Sequence, residues 1–222
     1  MSTSYKHLFI CVASVAAILM VATIGDLAGT ATPWFVMLAG YGAVGAWSAY
    51  VLRSLGFGSL FRPRGGDLTL GIVTGLVLAG TAFFALRWIT PMDSPRSAWV
   101  FSVYLQFGNI QGEMLRALGL FVVVVCEELV WRGLVQTHCI ETWGARRGLP
   151  AAAALYALAH VPTLFTLQTA IGGLNPLLIL GALAFGLVWS VLVLFTGRLA
   201  PAVVCHVVTS YFVSAPAPEW LW

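Results

Sequence analysis

Seven predominantly apolar stretches dominate the chain, near residues 8–25, 33–52, 68–89, 115–136, 150–171, 176–196 and 201–214. A helix needs roughly 20 such residues to cross the hydrocarbon of a bilayer, and in lipid each backbone polar group has to be satisfied internally. The stretches therefore predict an all-α, polytopic membrane helix bundle of about seven transmembrane helices, forming a single membrane domain over 1–222. Charged residues make up only 9% of the chain and the mean hydropathy is +0.93, which excludes an ordinary soluble domain. Ala98 to Phe107 is apolar but too short to span, and is expected at the interface or re-entering the membrane. Gly29-Thr30-Ala31 resembles a signal-peptide cleavage site, yet the long apolar core before it favours a retained first helix.

Basic residues orient the bundle. With a cytoplasmic N-terminus, that side carries Lys6, Arg53, Arg62, Arg64, Arg146, Arg147 and Arg198, against Arg87, Arg96 and Arg116 opposite. The positive-inside bias thus predicts a multi-pass protein of the cell membrane with its N-terminus cytoplasmic and its C-terminus outside. The same bias accounts for the net charge of +3, which leaves no case for nucleic acid as a partner. Trp34, Trp88, Trp99, Trp143, Trp220 and Trp222 fall near segment ends, where amphipathic rings favour the headgroup layer.

Glu127 and Glu128 stand inside the fourth apolar stretch, followed by Arg132. A carboxylate at the centre of a membrane helix costs at least about 2.5 kcal/mol on insertion scales, and such residues mark functional sites facing a bundle interior. Residues four apart share a helix face, so Glu128 is expected to pair with Arg132, leaving Glu127 turned toward solvent or substrate. Tyr156 and His160 are also four apart, and Pro162 cannot donate to the carbonyl of Leu158, which loosens the helix beside the histidine. His206 and Ser210 repeat the spacing after Pro201. Counted from one membrane face at 1.5 Å per residue, Glu127 lies about 14 Å, His160 about 15 Å and His206 about 8 Å deep. One glutamate and two histidines therefore reach comparable levels.

Such a set can act as a general base with polarising partners on a bound water, or ligate a catalytic zinc through Glu127, His160 and His206. Either arrangement activates water, and a substrate reached within the bilayer is a membrane-anchored polypeptide or a lipid. Cys11, Cys126, Cys139 and Cys205 lack paired spacing and read as small buried thiols, with a metal-ligand role the lesser alternative for Cys126 and Cys205. Gly71 and Gly75 form a GxxxG pair expected to mark a close helix contact elsewhere in the bundle.

Taken together, Glu127-Glu128-xxx-Arg132, Tyr156-xxx-His160 and His206-xxx-Ser210 resemble the EExxxR, FxxxH and HxxxN/D motifs of the CAAX prenyl endopeptidase and bacteriocin-processing (CPBP, Abi) family of intramembrane proteases. The resemblance covers roughly 115–214, a catalytic family-like core. It implies proteolysis of membrane-anchored peptides or proteins, with Glu127 and His160 activating water and His206 and the fourth residue stabilising the oxyanion. Glu128, Arg132, Tyr156 and Ser210 would support them. Family members have been regarded as glutamic-type proteases without a cofactor and as zinc metalloproteases; the metal-free form is the expectation here. Ser210 departs from the motif, because a serine hydroxyl is shorter than an asparagine amide. Two other readings are a bis-histidine haem protein using His160 and His206, which leaves the glutamates unexplained, and a proton-coupled transporter.

Overall fold

A computed structural model of the chain describes residues 3–107 and 113–214. Helices account for the regular structure of these residues, apart from one isolated bridge between Thr169 and Gly173. In chain order they are α1 (Thr3–Ala22), α2 (Thr32–Ser54), α3 (Asp67–Ile89), α4 (Ser97–Phe107), α5 (Glu113–Glu128), α6 (Gln136–Trp143), α7 (Ala145–Ala159), α8 (Val161–Thr166), α9 (Leu177–Thr196) and α10 (Ala200–Ser214). A π-helical segment, Leu129–Val135, joins α5 to α6 without a break. Among the described residues, five helical spans are long and apolar enough to cross a membrane: Tyr5–Ala22, Thr32–Ser54, Asp67–Ile89, Ala145–Thr166 and Leu177–Thr196. Trp220 and Trp222 lie outside the described residues.

The distribution of side chains is the reverse of a water-soluble protein's. Phe84, Trp88 and Phe195 are 71%, 83% and 83% exposed, whereas Glu128, Arg132, Gln136, His206 and Thr209 are buried. Large apolar groups facing outward and ionised groups facing inward are what a lipid surround selects. The helix α1 contributes one stripe, Leu8, Cys11, Val15, Leu19 and Ala22, to the core against α2.

One helix end departs from the sequence expectation. The segment expected at 150–171 starts at Ala145, and Pro150 lies inside α7. The proline forgoes a single bond near the exposed start of the helix, so the turn before it still forms. The loosening expected beside His160 is a break between α7 and α8, because Pro162 offers no N–H to Leu158. The short Ser97–Phe107 stretch forms α4, tied to loops at one end of the bundle: Trp99 Nε1 donates to the Gly172 carbonyl at 2.8 Å, and Gln106 Nε2 to the Ala22 carbonyl at 2.7 Å. At the other end, the Arg198 guanidinium grips Asp67 through a 2.6 Å bond and joins the start of α3 to the α9–α10 turn.

The GxxxG contact is not elsewhere in the bundle; it lies behind the helix that carries His206. A Cβ on Gly71 would sit 2.6 Å from Val204 Cβ, and one on Gly75 would sit 2.9 Å from the Cys205 carbonyl oxygen. Close approach of two backbones requires a residue without a side chain at each crossing point. Gly75→Leu is therefore expected to push α3 from α10. Overpacking of this kind costs about 1–3 kcal/mol, read as a lower thermal midpoint in detergent, while Leu76→Ala on the outward face should leave the midpoint unchanged.

Candidate active site

The face of α5 that carries Arg116, Leu120, Val123, Val124 and Glu127 lines a cavity of about 480 Å³. Steps of three and four residues keep these groups on one side of a helix. Glu128, one position further, turns about 100° away into the protein and is fully buried. Immediately beyond it the helix widens: the Gln136 N–H reaches back to the Trp131 carbonyl, an i→i−5 bond. Single π-turns inside α-helices concentrate at functional sites.

Around Glu128 the charges are neutralised locally. Its Oε1 accepts from Arg132 Nη1 at 3.1 Å and from His206 Nδ1 at 2.8 Å. Arg132 Nη2 donates to the Gly186 carbonyl at 3.1 Å, and its guanidinium lies 4.6 Å from the Tyr156 ring centre and 5.0 Å from that of Trp189. Planar charge delocalisation lets arginine bond in its plane and stack on its faces at once. The expected Glu128–Arg132 pair is thus present, but it is the centre of a network spanning α5, the π-segment, α7, α9 and α10.

His160 is set by the break in its helix. Its N–H bonds the Ala157 carbonyl at 3.0 Å, three residues back, which frees the Tyr156 carbonyl that a regular helix would occupy. His160 Nδ1 takes that place at 2.8 Å. A carbonyl can only accept, so Nδ1 carries a proton and the neutral ring keeps a lone pair on Nε2. Thr163 Oγ1 closes the turn by donating to the His160 carbonyl at 2.7 Å. The Tyr156 ring packs edge-on against the imidazole, with centroids 4.7 Å apart.

His206 is held the same way. Its Nδ1 donates to Glu128, and its ring stacks on Trp189 with centroids 3.6 Å apart and planes 18° from parallel. The other nitrogen, Nε2, then faces Glu127 Oε2 at 3.6 Å. That separation is too long for a good hydrogen bond and short enough for one water to bridge.

Glu127, His160, His206, Tyr156 and Ser210 all line the same cavity, together with the largely apolar faces of α2, α3, α4 and α9. Glu128 and Arg132 stand behind them. Three participants carried no readable signal in the sequence. Trp189 and Gly186 on α9, which hold His206 and Arg132, look like ordinary residues of an apolar helix. Tyr41 on α2, buried and lining the cavity, belongs to no motif. Only the tertiary arrangement picks them out. Among the described residues no three His, Cys, Asp or Glu side chains are grouped so as to hold a metal ion. The four cysteines are free thiols, three of them buried.

Residues 109–212 match the family model described as type II CAAX prenyl endopeptidase Rce1-like. No curated protein and no solved structure matches the chain.

Proposed function

We propose, from the match of residues 109–212 to the Rce1-like family model of type II CAAX prenyl endopeptidases, that this multi-pass membrane protein is an intramembrane endopeptidase. Its substrate is a membrane-anchored peptide or protein. The observation that carries the reading is the convergence of Glu127, His160 and His206 on one apolar-walled cavity. In that cavity Glu127 acts as general base. It takes a proton from water while the lone pair on His160 Nε2 accepts the second hydrogen and fixes the attack direction. The water oxygen bonds to the scissile carbonyl carbon, and the charge that develops on the carbonyl oxygen is met by His206 Nε2–H and the Ser210 hydroxyl. Because His206 Nδ1 already donates to Glu128, serving the oxyanion requires a proton on both nitrogens, hence the imidazolium. Glu127 then passes its proton to the amide nitrogen, the C–N bond breaks, and the carboxylic acid formed gives its remaining proton to the amine, so that a carboxylate and an ammonium leave.

On the same proposal, the Glu113–Trp143 rod and α10 also lie in the membrane. They bring the spans to seven, with the N-terminus cytoplasmic and the C-terminus outside. The test is cleavage in reconstituted vesicles of single-span and lipid-anchored peptides, with products mapped by mass. Cleavage within or beside the membrane segment is expected. No cleavage, together with a haem absorption band or proton-coupled uptake, would contradict the assignment.

Water activation here is proposed to be metal-free. Purified protein should carry well under one zinc per chain by elemental analysis and keep cleaving after exhaustive chelation. Loss of activity on chelation, restored by zinc, would overturn the metal-free mechanism while keeping the three site residues.

A further inference from the structure

Tyr41 has no part in the chemistry described so far, yet its environment is unusual. It is 1% exposed, it lines the site cavity, and its hydroxyl makes no well-aligned hydrogen bond among the described residues although the Glu127 carboxylate is within its reach. Buried polar groups are nearly always bonded, and an orphaned one is costly. Phenylalanine would fill the same volume without that cost. The hydroxyl lies beside the Glu127 carboxylate.

The placement has a backbone cause. Gly45 is one turn along α2 from Tyr41 and shares its face. A Cβ on Gly45 would stand 2.8 Å from Cys126 Cβ and 3.0 Å from Cys126 Cα. The α2 and α5 backbones thus meet at the residue before Glu127, which aims the neighbouring phenol at the carboxylate side of the helix. Tyr41 from α2, Tyr156 from α7, His160 just beyond its end and His206 from α10 share the cavity with Glu127, whose carboxylate lies 3.6 Å from His206 Nε2.

We propose that Tyr41 is a positioning residue for Glu127, its hydroxyl donating to the ionised carboxylate when water occupies the site. The bond turns one carboxylate oxygen toward the phenol and leaves the other for the water. The inference rests on Glu127 being the base, and it extends the site beyond the matched 109–212 region.

The test compares wild type, Tyr41→Phe and Glu127→Gln in vesicles. A hydrogen bond to a charged group corresponds to about a 10- to 100-fold effect. Tyr41→Phe should lower kcat by about that factor with KM little changed, and its thermal midpoint should equal or exceed wild type. The infrared carboxylate band of Glu127, assigned by its absence in Glu127→Gln, should shift in frequency in Tyr41→Phe. Wild-type kcat and an unshifted band in Tyr41→Phe overturn the inference and leave the protease reading standing. A Glu127→Gln protein as active as wild type instead defeats the reading of the base, whatever Tyr41 does.

Discussion

Glu127→Gln is expected to abolish turnover while leaving a folded protein of normal yield. The amide keeps the shape of the side chain and its place on the cavity wall but cannot take a proton from water. General-base catalysis contributes about 10²–10⁴-fold, and loss of at least that factor in kcat is the expectation. Folding should survive because, among the described residues, Glu127 makes no short ion pair that the network depends on: His206 Nε2 stands 3.6 Å from its carboxylate. Rates in vesicles, paired with the elution profile and thermal midpoint of the same preparations, check both halves of the statement.

The neighbouring residue should behave in the opposite way. Glu128 is fully buried, and its Oε1 is shared by Arg132 and His206. Removing one member of a buried pair leaves an uncompensated charge, at a cost of about 3–5 kcal/mol. Arg132→Ala also empties the space between the Tyr156 and Trp189 rings and frees the Gly186 carbonyl. Both Arg132→Ala and Glu128→Gln should therefore lower the yield of folded protein and the thermal midpoint. Glu128→Gln should be the milder of the two, since an amide oxygen still accepts from His206. Normal yield and an unchanged midpoint for Arg132→Ala would show that the network does not hold the bundle together. Equal expression with equal activity loss in all three variants would remove the division of labour between the two glutamates.

The contrast between adjacent glutamates was legible in the sequence because it depends only on helical rotation and on the four-residue step to Arg132. The break at His160 was legible for a similar local reason, the missing N–H of Pro162. What the spacing did not disclose was longer in range. The partner of Glu128 besides Arg132 is His206, 78 positions away, and no periodicity in α10 announces which face meets α5. The π-turn after Glu128 leaves the apolar pattern intact, so it was invisible as well. GxxxG correctly marked a close contact but not its partner, since small residues permit an approach without naming what approaches. Tyr41 was silent for the same reason: a tyrosine in an apolar helix becomes informative only when its hydroxyl is seen to lack a well-aligned partner.

The most direct measurement is a single-turnover cleavage in ¹⁸O-labelled water, with an anchored peptide and purified protein in sealed vesicles. If water activated by Glu127 attacks the peptide bond, the new C-terminal carboxylate carries one ¹⁸O in the wild-type reaction, and Glu127→Gln yields no product over the same interval. Product formed at the wild-type rate by Glu127→Gln, or wild-type product without the label, would contradict the central claim.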